Sequence, residues 1–170
     1  ARVRPLDRVV LWSPTVEHRR SAAAELAAEL GISVVAADSP VAAVADLPIV
    51  VTCTLSRTPV VSGSWLAAGA TVVSIGSFEP GRREVDAEVV RRARWVVVDD
   101  PATAVDHAGP VVAALADGDL VADDLVPLGA VLCGVHSGRT SADDVVFYNS
   151  VGLGVQDAAA AWAALDRLRS

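Results

Sequence analysis

A chain of 170 residues, 52% hydrophobic but only 4% aromatic, is long enough to bury one core made mainly of Ala, Val and Leu. That composition excludes a disordered chain and a small scaffold held by disulfides. The formal net charge of -7, without any run of Lys or Arg, argues against nucleic acid and anionic membranes as partners. No signal peptide or membrane-spanning apolar run is visible in the sequence, so we expect a cytoplasmic protein.

Apolar runs and helical patterns alternate along the first hundred residues. The predicted elements are, in order, a strand at 8–12, a helix that Ser13 caps, Pro14 begins and Gly31 ends, a strand at 32–36, a short helix at 39–45, a strand at 48–53, a helical turn at 63–66, a strand at 70–75, a helix at 86–93 and a strand at 94–99. Strands that alternate with helices predict βαβ units and a parallel sheet.

The rest of the chain departs from this alternation. Helices are predicted at 101–118 and 122–134, and they end at Gly118 and Gly134. A strand is predicted at 145–148, and a last, alanine-rich helix at 155–168. No repeat or interdomain linker stands out, so the chain is expected to be one unit. Three acids precede a helix or a strand, and helix capping and solubility explain them best: Asp86, Asp143 and Asp144.

The cysteines and histidines carry no metal pattern. Cys53 and Cys133 lie among apolar residues at a spacing that fits no metal site, so we expect both to be small core residues in a reducing compartment. His18, His107 and His136 are scattered, and none has a partner at ligand or triad spacing.

Function is expected where the strands at 48–53 and 70–75 end. Ligands of open parallel sheets bind outside the carboxyl ends of the strands, because backbone donors and small side chains converge there. The alternative is that small and polar residues simply follow strands in any β-rich protein. The residues at these two ends are Thr52, Cys53, Thr54, Gly76, Ser77 and Phe78.

Three segments of the sequence are TCTLSRTPV, WLAAGATVVSIGSFEPGRREVD and GRTSADDVVFYNSVGLGVQDAAAA. The order and spacing of these segments resemble those of the ornithine cyclodeaminase and mu-crystallin family, and the resemblance extends from Arg8 to about Leu165. The resemblance implies a homodimeric NAD(P)-dependent enzyme with a Rossmann-type parallel sheet flanked by helices. Residues 1–150 would form a partial NAD(P)-binding domain, and residues 151–170 a helix that in the family packs back toward the substrate and dimerisation domain.

The glycine-rich turn that receives the pyrophosphate in dinucleotide-binding folds has no counterpart in this sequence. Against the family, residues 1–7 resemble the end of the first helix and residues 8–12 the second strand, so the first strand of the sheet is expected to be missing. The family's amino-terminal domain and an initiating Met are also absent, which favours a processed, truncated or incompletely represented protein over a natural full-length one. We therefore expect this chain alone to bind NAD or NADP weakly or not at all.

The missing strand would leave the strands at 8–12 and 49–53 separated by about 10 Å, twice the spacing of neighbouring strands. Unpaired backbone groups in such a gap are costly. The two strands either pair directly, have a strand or a covering surface supplied by another chain, or flank residues of the same protein that lie outside this sequence. We favour the last outcome.

The resemblance also implies roles for single residues. Ser13, with Thr15, His18 and Arg19 close behind, follows the second strand and leaves room for the 2′-phosphate of NADPH, although helix capping explains Ser13 equally well. Thr52 to Thr54 would line the cofactor between its halves, and Gly76 to Phe78 would lie beside the nicotinamide. Arg82 would lie close to the cofactor, unless it is a solvated loop residue, and Ser150 would reach the nicotinamide side.

The implied chemistry is hydride exchange between a nicotinamide and the α-carbon of an amino acid or the C=N carbon of a cyclic imine. Cyclodeaminases of the family carry an Asp where Phe78 stands, and an aromatic ring cannot exchange a proton. Glu79 is the neighbouring carboxylate that would have to substitute. Imine reduction or amino-acid oxidation is therefore favoured over ornithine cyclisation. The alternative is a non-catalytic, crystallin-like binding or structural protein, or an inactive fragment.

Overall fold

A computed structural model describes residues 4–169 and contains seven strands and six α-helices within that range. The strands are β1 (Arg8–Leu11), β2 (Ser33–Ala36), β3 (Ile49–Thr52), β4 (Thr71–Ser74), β5 (Ala93–Val98), β6 (Leu125–Pro127) and β7 (Val145–Asn149). The helices are α1 (Val16–Leu30), α2 (Ala87–Arg92), α3 (Pro101–His107), α4 (Gly109–Asp117), α5 (Leu128–Leu132) and α6 (Gly154–Arg169). Short 3-10 turns occupy Val41–Ala43, Gly63–Trp65 and Ala122–Asp124.

All strand pairs are parallel, which confirms the predicted α/β class and the Rossmann-type sheet flanked by helices. Five strands form one sheet in the order β3-β4-β7-β5-β6, and β1 pairs with β2 in a separate two-stranded sheet. The strands β1 and β3, expected to flank the missing strand, thus belong to different sheets. Direct pairing of the two, the first of the three outcomes considered, does not occur within the described residues.

The core lies on one face of the five-stranded sheet. β-branched side chains alternate along each strand, and the inward set packs against α2, α3 and α4. The largest fully buried apolar side chain is Phe147 of β7. Its buried neighbours on the strands and helices include Val50, Val72, Val96, Val98, Val89, Ala104, Ala108 and Val111.

The opposite face of this sheet is open near β3 and β4. Val51 is 55% exposed and Ile75 is 47% exposed, although both are apolar residues that follow or lie within a strand. Parallel sheets normally bury both faces under helices. The open face is therefore where further protein is expected to pack.

Several boundaries differ from those predicted. Helix α1 begins at Val16 with Thr15 as its N-cap rather than at Pro14 after Ser13, and the Ser13 hydroxyl donates to the Thr15 carbonyl at 3.2 Å. The short helix expected at 39–45 is reduced to one 3-10 turn. The end of the family's first helix is expected at residues 1–7. Residues 1–3 lie outside the described residues, and residues 4–7 are not helical.

The segment 122–134, predicted to be mainly helical, contains a strand. Leu125 and Val126 of β6 are buried and pair with β5, and only the short helix α5 follows. Pairing with a neighbouring strand, which the local pattern cannot reveal, overrides the helical tendency here. Segment 101–118 is divided into α3 and α4 at Ala108, which is extended and precedes Gly109 and Pro110.

Both cysteines are exposed, so the expectation that they are core residues is wrong. Cys53 follows β3, whose side chains alternate between exposed and buried with Thr52 buried, and it therefore falls on the open face. Cys133 follows α5, none of whose residues is buried. Apolar neighbours in a sequence do not reveal which face of an element is covered.

Helix α6 ends the described chain and packs against little of it. None of its residues is buried, and Trp162 is 65% exposed while Leu168 is 85% exposed. Its expected docking against another domain stays a prediction, since the structure holds only this chain.

Candidate functional site

Four parallel strands end together at one edge of the five-stranded sheet. Thr52, Ser74 and Asn149 are register partners at the ends of β3, β4 and β7, and Val98 pairs with Asn149 at the end of β5. We call this the carboxyl edge, formed by residues 52–54, 74–78, 98–100 and 149–152. It is the position where ligands bind in open parallel sheets.

Eight of the ten predicted site residues lie at the carboxyl edge or in the turn beside it: Thr52, Cys53, Thr54, Gly76, Ser77, Phe78, Arg82 and Ser150. Backbone bonds bring these segments together, as where Ser150 N donates to the Ser74 carbonyl at 2.9 Å. The remaining two, Ser13 and Thr15, follow β1 in the other sheet.

A fully buried carboxylate, Glu84, joins the ends of β3 and β4. Its Oε1 accepts a hydrogen bond from Thr54 N. Its Oε2 accepts from Ser74 Oγ at 2.7 Å and from Gly76 N at 2.8 Å. Its own backbone N–H donates to Ser77 Oγ at 2.9 Å. One side chain thus contacts both segments that the sequence predicts to hold a ligand.

Glu84 is held as an anion. Burial by itself raises the pKa of a carboxyl group, but the hydrogen bonds from Thr54, Ser74 and Gly76 outweigh burial and keep the pKa of Glu84 below its usual value. The charge therefore belongs to the folded structure at neutral pH.

Gly76 lies where the two segments touch. A Cβ on Gly76 would lie 1.7 Å from the Thr54 carbonyl oxygen and 2.7 Å from Glu84 Oε1. The close backbone approach expected at this glycine is therefore already made by the protein itself. Gly109, the first residue of α4, has the same role beside the Arg82 carbonyl, which would lie 1.8 Å from its Cβ.

The turn after β4 presents an aromatic ring and a guanidinium group together. The Arg82 guanidinium carbon lies 4.3 Å from the centre of the Phe78 ring, and Arg82 Nη2 lies 3.1 Å from Glu79 Oε1. The Arg82 side chain is only 16% exposed, so the solvated-loop interpretation is wrong. Its Nη1 is buried without a hydrogen-bond partner, which leaves a cationic donor free for an acceptor.

Asp99, directly after β5, organises the loop that contains Ser150. Burial raises its pKa, but the bonds from Tyr148, Ser150, Gly152 and Val151 outweigh burial and lower it overall. Burial and the bond to Asp99 raise the pKa of Tyr148 in turn. The donors to this carboxylate are Tyr148 Oη, Ser150 Oγ at 2.8 Å, Val151 N at 2.9 Å, Gly152 N at 3.0 Å and Gln156 Nε2 at 3.3 Å.

Arg19 ties together the ends of the two-stranded sheet. It is 8% exposed, its Nη1 donates to the Ser13 carbonyl at 3.1 Å, and its Nη2 lies 3.6 Å from Asp38 Oδ1. The Ser13 hydroxyl is itself bonded to the Thr15 carbonyl. This region is thus organised by bonds within the chain rather than left open around Ser13.

Two of the three acids set aside as structural, Asp86 and Asp144, accept hydrogen bonds from their own surroundings. Asp86 caps α2 by accepting from Val89 N at 3.2 Å, and Asp144 accepts from Thr140 and Ser141 in the turn before β7. Between residues 4 and 169 no group of three or more His, Cys, Asp or Glu side chains is placed to hold a metal ion. No helix in the same range has the length and hydropathy needed to span a membrane.

A cavity of about 600 Å³ lies away from the carboxyl edge. It runs beside β6 and is lined by residues such as Trp95, Asp119 and His136. The Trp95 and His136 rings meet edge to face at 4.5 Å there. We place the candidate site at the carboxyl edge because polar groups from four strand ends converge there, whereas this cavity is an open groove along an edge strand.

Two residues that shape the site were missed in the sequence. Asp99 carried a signal, since an acid directly after a buried strand lies at the carboxyl edge of a parallel sheet. Glu84 carried none, because it lies in the charged run GRREVD, where a buried carboxylate looks like a solvated one.

The model of the ornithine cyclodeaminase/mu-crystallin family matches residues 1–170. The iminosuccinate reductase of Paracoccus denitrificans is 32% identical over 167 residues, which are 98% of this chain and 50% of that protein. The crystal structure of that reductase in complex with NAD+ has a TM-score of 0.88 at 30% identity, covering 97% of this chain and 50% of its own. The chain spans about half the length of the curated relatives it matches.

Two further solved structures are similar. The Thermococcus litoralis Δ1-pyrroline-2-carboxylate reductase, in complex with NADH and L-proline, has a TM-score of 0.87 at 26% identity and covers 92% of this chain and 48% of its own. An archaeal alanine dehydrogenase dimer with bound NAD has a TM-score of 0.80 at 31% identity and covers 94% and 49%.

Proposed function

Because the chain belongs to the ornithine cyclodeaminase/mu-crystallin family, we propose that it forms the nicotinamide-facing part of an enzyme that reduces a small imine or oxidises an amino acid with NAD or NADP. The observation that carries the proposal is the convergence of Thr54, Gly76, Phe78 and Ser150 at the carboxyl edge. Three relatives with reductase or dehydrogenase activity in their names, and their structures with NAD or NADH, support it.

The residues present fit the nicotinamide half of the cofactor better than the pyrophosphate. Arg82 offers a buried, unpartnered donor beside the exposed ring of Phe78, and Cys53 and Thr54 lie at the neighbouring strand end. The sequence lacks the glycine-rich turn whose backbone N–H groups normally donate to the pyrophosphate. Residues 4–169 alone would accordingly bind NAD(P) with a dissociation constant above about 1 μM, which corresponds to about 8 kcal/mol.

The nicotinamide, when bound, would exchange a hydride with the substrate carbon. Phe78 and Arg82 would lie beside the nicotinamide ring. Arg82 Nη1 would donate a hydrogen bond to an acidic group of the bound ligand. Cyclisation of an amino acid needs a further group that moves a proton, and Phe78 cannot supply one. Glu79 is paired with Arg82 at 3.1 Å, so its carboxylate is already engaged.

The reaction is tested in the longest natural reading frame that contains this chain. We expect cofactor-dependent reduction of Δ1-pyrroline-2-carboxylate or iminosuccinate, or oxidation of a small amino acid, to exceed conversion of ornithine into proline by at least about tenfold, or 1.4 kcal/mol in the barrier. Both reactions are measured on one preparation, with the cofactor omitted as the control. Proline formation from ornithine without net use of cofactor would contradict the proposed reaction, and no turnover of any substrate would favour a binding or structural protein.

The position of the site is tested by alkylating the two exposed cysteines. Cys53 lies at the carboxyl edge, whereas Cys133 follows α5 on a different part of the fold. In the same full-length protein, whose Cys53 is first shown to react with iodoacetamide, saturating NADH should slow that reaction several-fold and leave the reaction of Cys133 unchanged, as mass spectrometry of the two peptides would measure. Equal rates at Cys53 with and without NADH would place the cofactor elsewhere.

We further propose a homodimer located in the cytoplasm, with small amino or imino acids as substrates. The archaeal alanine dehydrogenase named above is described as a dimer, and the exposed apolar residues of α6 and of the open sheet face provide surfaces for contact with further protein. Residues outside this sequence would fill the place between β1 and β3.

A further inference from the structure

We infer that Glu84 is a positioning residue of the proposed nicotinamide site, because its carboxylate fixes the segment after β3 against the segment after β4. The inference rests on the proposed function, which assigns both segments to the cofactor. Glu84 itself is fully buried and behind the edge, so it would act through Thr54 and Gly76 rather than touch the ligand.

The two carboxylate oxygens serve different strands. Oε1 binds the amide of Thr54 after β3, and Oε2 binds the hydroxyl of Ser74 and the amide of Gly76 on β4 and its following turn. A bridge of this kind sets the separation of the two segments within the length of one side chain. The absent Cβ of Gly76 lets the Thr54 carbonyl close the same contact from the other side.

Only a carboxylate satisfies all three donors. An ionised glutamate is acceptor-only, whereas the amide of a glutamine has one acceptor oxygen and an NH2 group. In Glu84→Gln the NH2 group would face either the amide of Thr54 or the donors of Ser74 and Gly76, and two donors cannot bond to each other. One of the two segments would therefore detach from the bridge.

The effect should be confined to one half of the cofactor. Of the two segments that Glu84 joins, the one after β4 belongs to the proposed nicotinamide side and the one after β3 would line the cofactor between its halves. The residues proposed near the adenosine ribose, Ser13 and Thr15, follow β1 of the separate two-stranded sheet. A displaced segment after β3 would weaken contacts with the nicotinamide and leave those with the adenosine half. General loss of stability would weaken both halves together.

The test measures NADH and ADP-ribose binding to the longest natural reading frame that contains this chain, by fluorescence and calorimetry. Glu84→Gln should raise the dissociation constant of NADH about tenfold, the size expected for the loss of one hydrogen bond to a charged group. The constant for ADP-ribose should change less than about twofold, or 0.4 kcal/mol.

A matched control is Asp86→Asn. Asp86 is also a carboxylate that accepts from a serine hydroxyl and from backbone amides, namely Ser62 Oγ at 2.6 Å and Gly63 N at 2.9 Å, but it caps α2 and joins neither edge segment. It should lower thermal stability and leave the ratio of NADH to ADP-ribose affinity unchanged. Ser74→Ala, which removes one donor to Glu84, gives a smaller change in the same direction and serves if Glu84→Gln does not fold.

Two results would overturn the inference while leaving the proposed function intact. One is NADH affinity that neither Glu84→Gln nor Ser74→Ala changes, and the other is an equal loss for NADH and ADP-ribose. Absence of NADH binding by the unmutated protein would instead contradict the proposed function, and the inference with it.

Discussion

Gly76→Ala is expected to destabilise the protein by about 3 kcal/mol or more, at the upper end of what overpacking costs. The new methyl carbon would lie 1.7 Å from the Thr54 carbonyl oxygen and 2.7 Å from Glu84 Oε1. Neither group can yield easily, because Thr54 is bonded to Glu84 and Glu84 is bonded to Gly76 itself. Relief would require β3 and β4 to separate at their carboxyl ends.

The free energy of unfolding is measured by urea titration, with Gly129→Ala as the matched control. Gly129 lies in α5, and a Cβ there would have no neighbour within 4 Å. That substitution should stabilise the protein by up to about 1 kcal/mol, as expected for a helical glycine. A Gly76→Ala protein as stable as the Gly129→Ala protein would show that the two strand ends are not packed as described.

Asp99→Asn is expected to lower the free energy of unfolding at pH 7 by about 2 kcal/mol. This value is at the low end of what losing several hydrogen bonds to a charged group costs, because the site is partly solvated. The amide would turn an NH2 group toward donors such as Val151 N and Gly152 N. The loop after β7 and the start of α6 should loosen together, since Gln156 of α6 also bonds to Asp99.

The pH dependence of this effect has a definite sign. The folded protein lowers the pKa of Asp99 from its ordinary value of 3.8, so the folded state binds a proton less readily than the unfolded chain. The stabilisation is therefore complete above about pH 5 and is lost as the pH falls below 3.8 through the folded-state pKa. The stability difference between the original protein and Asp99→Asn should shrink correspondingly in unfolding titrations at pH 7, 5 and 3.5.

Asp106→Asn provides the comparison for this carboxylate. Asp106 lies exposed on α3, and its replacement should change the free energy of unfolding by less than about 0.5 kcal/mol at each pH. A loss for Asp99→Asn that is no larger, or that grows as the pH falls, would contradict the role assigned to Asp99.

Local patterns in the sequence are enough to locate most elements and the segments that meet at the carboxyl edge. Runs of β-branched residues predicted β1 to β5 and β7 to within one or two residues, because such side chains fit the pleated surface wherever they fall. Gly31 and Gly118 were predicted to end helices, and both adopt the left-handed conformation that glycine tolerates best, with φ of 66° and 78°. Parallel topology then placed the residues after each strand at one edge.

The sequence by itself determined the α/β class, the family and the segments that meet at the carboxyl edge, since these depend on periodicity and on short motifs. Only the tertiary structure decided that β6 is a strand, that Cys53 is exposed, and that Glu84 is buried between Thr54 and Gly76. Each of these depends on a neighbour distant in the chain: a pairing strand, an open sheet face, or donors that arrive from two different segments. Such contacts leave no local pattern in the sequence. A glutamate that becomes buried has the same neighbours in sequence as a solvated one, and only the fold brings its hydrogen-bond donors to it.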